Sequence, residues 1–239
     1  MPESLRSGRL SITWLGHATF QMTSPRGVRL LLDPWLARNP VCPEACRRIA
    51  ALDLMLVSHG HSDHSEDVLS LERATGAAVV APFELAVWLE RKGLRNTMGM
   101  NVGGSLQVRG ITVTMVPALH SSATVEEGRI TFLGPAVGYV LRFEDGSTIY
   151  FAGDTALFGD MRLIGEMHQP ETALLPIGDR YTMGPEAAAR ASELLRVRRV
   201  IPMHYGTFPE LTGTPARLRE LVAPRGVEVL ELRPGETVE

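Results

Sequence analysis

Cysteine is nearly absent from this 239-residue chain: Cys42 and Cys46 are the two, in a C-x3-C arrangement beside Pro43. Two thiols cannot close a four-thiolate zinc site, and at this spacing they read as free thiols of a reducing compartment. No apolar run reaches the ~20 residues of a membrane helix. The start, Met1-Pro2-Glu3-Ser4, lacks the apolar stretch of a secretion signal. A cytoplasmic protein is expected, with no membrane partner. Charge of one sign is not in excess either, with a net charge of −3 and a pI near 6.2. The basic footprint of a nucleic-acid binder is therefore missing. Arg196, Arg198 and Arg199 do cluster, but at the end of a helical pattern, where cations complement the helix dipole. Low-complexity segments and long linkers are lacking too, so one domain over residues 1–239 is expected. The chain is 44% hydrophobic, enough to bury a large core.

What is present is concentrated in one run, Ser58-His59-Gly60-His61-Ser62-Asp63-His64. It places three imidazoles and a carboxylate within six residues, directly after the apolar stretch Leu54-Met55-Leu56-Val57. Borderline divalent ions such as zinc bind imidazole nitrogen and carboxylate oxygen. A short loop leaving a buried strand can aim several such groups at one point. His59 and His61 can face one ion, while Asp63 and His64 turn toward a second. Chance occurrence of H-x-H-x-D-H in a chain of this composition is on the order of two in ten thousand. The run reads as a metal site.

One loop cannot close two metal shells, so later residues must join it. Strand-like pieces are expected at Leu10–Trp14, Val28–Leu32, Leu54–Val57, Ala77–Ala81, Ile111–Val116, Val137–Phe143, Thr148–Phe151, Ala173–Pro176, Val200–Pro202 and Val227–Leu232. Glu144-Asp145-Gly146-Ser147 reads as a hairpin turn. Helical patterns fall at Asp67–Thr75, Phe83–Lys92, Pro185–Leu195 and Pro215–Val222. Thr182 or Gly184, and Thr214, stand ready to cap the last two. Two sheets covered by helices follow as the layer arrangement. Three candidate ligands then sit at strand ends, where loops gather functional groups: His120, Asp154 after Ala152-Gly153, and His204.

The order H-x-H-x-D-H, His, Gly-Asp-Thr, His resembles the metallo-β-lactamase superfamily. It resembles most closely the stand-alone metal-dependent hydrolases of the L-ascorbate-6-phosphate lactonase-like branch. Trp14-Leu15-Gly16-His17-Ala18-Thr19-Phe20, Leu32-Asp33-Pro34-Trp35, Leu175-Pro176-Ile177-Gly178-Asp179, Tyr181-Thr182-Met183-Gly184-Pro185-Glu186 and Pro202-Met203-His204-Tyr205-Gly206-Thr207-Phe208 also look like that branch. Asn39–Ile49, which holds both cysteines, departs from it. The resemblance implies an α/β fold, a four-layered αββα sandwich with the site at one edge between the sheets. It also implies two divalent ions. His59, His61 and His120 would hold the first and Asp63, His64 and His204 the second, with Asp154 bridging.

Two such ions about 3.5–4 Å apart can share a water and bring its pKa toward neutrality, giving hydroxide without a serine or cysteine nucleophile. Asp63 can orient that nucleophile while ligating the second ion. Asp33 is placed to orient a ligand imidazole through its second nitrogen. His17 is a catalytic candidate, donating to a substrate oxyanion or protonating a leaving group, or else a buried structural histidine. Tyr205 and Asp179 are candidate pocket walls, and His168 reads as structural. Zinc is the expected ion, with manganese, nickel and ferrous iron as alternatives. The expected activity is hydrolysis of a small ester-like substrate: a lactone, a phosphodiester or a phosphorylated sugar derivative. A nuclease or cyclic-dinucleotide phosphodiesterase, a dioxygen-reducing enzyme and a non-catalytic metal-binding protein are the competing readings. A homo-oligomer is compatible with all of them.

Overall fold

A computed structural model describes residues 8–239; the Met1-Pro2-Glu3-Ser4 start lies outside them. The chain first lays down β1 (Ser11–Trp14), β2 (Phe20–Thr23), β3 (Arg29–Leu32), β4 (Leu54–Leu56), β5 (Ala78–Pro82) and β6 (Thr97–Met100). It then forms β7 (Ser105–Val108) and β8 (Ile111–Pro117), and an isolated hairpin of β9 (Ala123–Glu126) and β10 (Arg129–Phe132). β11 (Val137–Arg142), β12 (Thr148–Phe151), β13 (Thr172–Pro176), β14 (Arg199–Met203), β15 (Glu228–Val229) and β16 (Thr237–Val238) complete the strands. Two seven-stranded sheets result, in the orders β16-β1-β2-β3-β4-β5-β6 and β15-β14-β13-β12-β11-β8-β7. Each is antiparallel at one end and parallel at the other: β3 to β6 run parallel, as do β12 to β15.

Side-chain alternation explains the layering. Along β3 to β5, Leu30, Leu32, Leu54, Leu56, Ala78 and Val80 point to the core between the sheets, where they meet Val113, Met115, Tyr139 and Phe151. Leu31, Met55 and Val79 point the other way, into a second core. There they pack under α2 (Val68–Thr75) and α3 (Phe83–Arg91), through Val68, Leu71, Leu85 and Leu89. These strands are buried on both faces, as parallel strands between helix and sheet must be. On the far side of the second sheet, α4 (Met161–His168), α5 (Pro185–Leu195) and α6 (Pro215–Val222) bury Met161, Ile164, Ala188, Ala191, Leu195 and Leu218. The architecture is the αββα sandwich expected.

Local signals behave as the chemistry requires. Glu144-Asp145-Gly146-Ser147 does join the antiparallel pair β11 and β12. Gly184 precedes α5, and the Thr214 hydroxyl accepts the Arg217 amide at the start of α6. Several elements differ from expectation. The ladder ends at Val229 instead of Leu232, because this edge strand has β14 on one side and no strand beyond it. Strands β2, β6, β7, β9, β10 and β16 go beyond expectation; all are two to four residues long, with polar or glycine positions that blur period-two alternation. The metal motif is not all loop, since α1 (Ser62–Ser65) forms one helical turn that carries Asp63 and His64.

Candidate metal centre

The histidine and aspartate candidates converge at one rim of the sandwich, delivered by loops from both sheets. His59 and His61 leave β4, and His120 follows β8. Asp154 follows β12, and His204 follows β14. Two donor groups form, linked by a third of Asp33, His59 and His64. His59, His61 and His120 make one, and Asp63, His64, His204 and His17 the other.

Backbone strain concentrates here. His17, Asp33 and His204 are held at φ +57°, +44° and +55°, in the left-handed region. Non-glycine residues persist there only where surroundings over-determine them. The surroundings are visible: the His17 carbonyl accepts from Trp14 Nε1 at 3.0 Å and from the His204 amide at 2.9 Å. The Asp33 carbonyl accepts from Thr19 Oγ1 at 2.7 Å. Gly153, at φ +58°, lets the Asp154 loop approach its neighbours. A Cβ there would meet the Val137 carbonyl at 2.7 Å and Ser58 at 2.8 Å.

Asp33 organises the first group and half of the second. Fully buried, its carboxylate accepts the Ser58 amide at 2.7 Å, the Ser58 hydroxyl at 2.6 Å and His64 Nδ1 at 2.7 Å. Because Ser58 donates its only proton to Asp33, its oxygen accepts from His59 Nδ1 at 2.9 Å. Both imidazoles are thereby fixed with protons on Nδ1 and lone pairs on Nε2. The expected second-nitrogen role of Asp33 matches this geometry.

Further ring nitrogens gather beside the unprotonated His59 Nε2. His59 Nε2 and His120 Nε2 lie 3.0 and 3.3 Å from His61 Nδ1. Tetrahedral zinc with Zn–N near 2.0–2.1 Å separates its nitrogens by roughly 3.3 Å, so these donors already stand at ligand spacing. Asp154 Oδ2 lies 3.0 Å from His204 Nε2, 3.3 Å from His64 Nε2, 3.6 Å from His120 Nε2 and 4.0 Å from His59 Nε2. Its Oδ1 and His64 Nε2 are buried without a hydrogen-bond partner. Buried polar atoms are normally satisfied. Donors that converge on one another and stay unsatisfied fit a cation, and the cluster can hold metal ions.

Electrostatics agree for most of the cluster. The exceptions are Asp33, raised by burial, and His64, where burial is overcome by Asp154, Asp63 and Asp33, which raise it well above the usual range. The proton favoured there is one that a cation would replace. Burial alone would raise Asp63 and Asp154, but neighbouring imidazoles overcome it and hold both carboxyls well below the usual range. Burial lowers His59, His61 and His120, and brings His17 down to about 4 with help from His204. The sign for stability follows. A histidine near 4 when folded and near 6.5 when unfolded leaves the unfolded chain with more bound protons. Stability is full above pH 6.5 and falls as pH drops toward 4. Chelation with EDTA should lower Tm at pH 8, and acid should erode the metal-dependent increment first. Melting curves with and without chelator from pH 8 to 5 check both; an increment unchanged at pH 5 would refute the assignment.

The remaining candidates sort out differently. His17 is buried, with Nε2 3.0 Å from Asp63 Oδ2 and Nδ1 3.0 Å from Thr207 Oγ1, so both nitrogens are engaged by protein. Tyr205 stacks on Trp14 at 5.1 Å instead of lining the cavity. Asp179, at φ +71°, is a turn residue whose carbonyl accepts the Thr182 amide. His168 ends α4. The cavity walls that sequence reasoning missed are Ser121, Tyr181 and Phe208. Two of them lie inside phrases already singled out, and their orientation toward the site was the missing information. Cys42 and Cys46 are free thiols, and burial pushes Cys42 up to about 11.

Helices outside two facing sheets, with this cluster on the rim, define a metallo-β-lactamase fold with a metal centre. Residues 28–205 match the family model of the beta-lactamase superfamily domain, and the chain belongs to that superfamily. Within it, the chain is 50% identical over 230 residues to a UPF0173 metal-dependent hydrolase of Solibacter usitatus, covering 96% of this chain and 100% of that one. A counterpart from Rubrobacter xylanophilus is 49% identical over 232 residues, covering 96% of both chains. Among solved structures, Igni18, a novel metallo hydrolase from Ignicoccus hospitalis, superimposes with a TM-score of 0.85 at 35% identity, covering 96% and 97% of the two chains. The protein is a metal-dependent hydrolase. No helix among the described residues is long and apolar enough to cross a membrane.

Proposed function

We propose that the centre takes two divalent ions, zinc by preference, and hydrolyses a small ester-like substrate. The observation that carries this reading is the placement of Asp154 Oδ2 within 4.0 Å of four imidazole nitrogens drawn from both donor groups. That is where a shared ligand belongs. His59, His61 and His120 would hold one ion, and Asp63, His64 and His204 the other, with Asp154 common to both. Such ions supply water activation near neutral pH and a Lewis-acidic seat for a substrate oxygen. Histidine in place of a carboxylate at position 61 favours zinc over iron.

The chain's own residues divide the remaining work. Asp63 is partly exposed in the cavity, so it can accept a hydrogen bond from a water entering there and orient it. His17 acts as a positioning residue. With Thr207 donating to Nδ1, its Nε2–H points at Asp63 Oδ2 and fixes the carboxylate's rotamer. Direct proton donation by His17 to substrate does not fit a side chain absent from the cavity wall. His17→Gln should therefore lower kcat about 10–100-fold while KM stays within about twofold. A KM rise with unchanged kcat would instead place His17 against the substrate.

The reading is tested by stripping the protein, reloading it with zinc, manganese, nickel or iron, and offering lactones, bis-p-nitrophenyl phosphate, phosphate monoesters and nitrocefin. Two metal equivalents by elemental analysis, with turnover of one class that is lost in His59→Ala, are expected. One equivalent at full activity would overturn the two-ion reading.

A further inference from the structure

We propose that the substrate is a small uncharged carboxylic ester or lactone whose flat apolar part is gripped by Phe208 and Tyr181. This rests on the hydrolase reading above and narrows it. His61, Asp63, His120, Asp154 and His204 form the floor of a cavity of 280 Å³, and its walls are Ser121, Tyr181 and Phe208. That volume lies just under the range of about 300–1,000 Å³ typical of small-molecule sites.

The walls differ in rigidity. Phe208 is 37% exposed, yet its ring is backed by Trp35 at 6.0 Å and by His17 edge-on at 5.7 Å. One face is fixed and the other is open to the cavity. Tyr181 is 51% exposed and carries the Arg180 guanidinium 5.3 Å from its ring centroid. Exposed aromatic surface at the mouth of a metal cavity is a surface for a ligand.

Charge decides between substrate classes. A phosphoryl group remote from the reacting bond needs an arginine fork, a lysine or a helix N-terminus. Among the described residues no lysine or arginine lines the cavity, and the Arg180 guanidinium beside it lies over the Tyr181 ring instead. The positive charge a metal supplies sits on the floor and serves the reacting group. An ester or lactone has one polar centre for the floor and an apolar remainder for the walls. In its hydrolysis a water oxygen bonds to the acyl carbon, the acyl C–O bond breaks, and the departing oxygen takes the proton the water gave up.

Calorimetry on the zinc-loaded protein tests the grip without turnover. Benzohydroxamate should bind at least about tenfold more tightly than acetohydroxamate, since the two share a head group and differ in the ring. In the Phe208→Ala/Tyr181→Ala double variant that gain should shrink to under about threefold, with metal content retained. The 4-phosphonooxy derivative should bind about tenfold more weakly than benzohydroxamate itself. Equal affinity for the two simple hydroxamates, an unchanged gain in the variant, or tighter binding of the phosphorylated probe would each overturn the proposal. The expected binding pattern with no turnover of any ester, lactone or phosphoester would sink the ester-hydrolysis reading and leave the aromatic grip supported.

Discussion

Alanine in place of Asp154 should reduce kcat/KM by at least about a thousandfold and release at least one equivalent of metal. The carboxylate oxygen within 4.0 Å of four imidazoles has no substitute nearby. Asp63 faces the second group alone, 3.8 Å from His64 Nε2. The fold should survive, and its response is diagnostic. Without metal, the imidazoles around Asp154 outweigh its desolvation and hold it charged, so the metal-free variant should melt lower than the metal-free parent. Loaded with zinc, the parent should gain stability that the variant lacks. Asp63→Ala should likewise abolish turnover with the fold retained. Turnover persisting in folded, metal-analysed variants would remove these roles.

Asp33→Ala should give the largest loss of stability of any single change at the site. The substitution strands the Ser58 amide, the Ser58 hydroxyl and His64 Nδ1, all buried. Removing one partner of such a buried charged network costs about 3–5 kcal/mol. At roughly 2–4 °C per kcal/mol for a chain of this size, Tm should fall by about 6–20 °C. Metal affinity should fall by about 10–100-fold as well, because His59 and His64 lose the hydrogen bonds that fix their tautomers. Asp33→Asn keeps the shape, and it should recover part of the stability but little of the affinity. The half-exposed Arg29–Asp53 pair is the contrast. It is bidentate at 2.8 and 3.2 Å, yet water screens it, and its loss should leave the melting temperature nearly unchanged. Thermal melts of the three variants, with zinc titration, decide the ranking.

The site was far more legible than its walls. His59, His61, Asp63 and His64 are close in sequence, and a short loop after a buried strand leaves them few places to point. His120, Asp154 and His204 could be picked out because each follows an apolar strand, and parallel strands deliver their ends to one rim. Asp33 was legible through its Leu-Asp-Pro-Trp phrase. Tyr181 and Phe208 carry no chemistry that spacing can flag, and whether an aromatic ring packs inward or faces a cavity is settled by tertiary contacts. Tyr205 shows the converse: it shares a phrase with His204, but Trp14 claims its ring. The fold followed the same division. Strands buried on both faces stood out as apolar runs, whereas the exposed β9–β10 hairpin, with Val125, Ile130 and Phe132 turned to solvent, had no periodicity to betray it.

The distribution of the donors along the chain has a consequence for how the molecule assembles. His17 precedes β2, His204 follows β14, and the others come from loops of both sheets. Neither half of the sandwich carries a complete set, so neither can be templated by metal while the other is unfolded. The ions can be captured only after the two sheets have docked. Zinc supplied during refolding should therefore leave the rate of sheet formation unchanged, and act as a late latch that slows the sheets from parting.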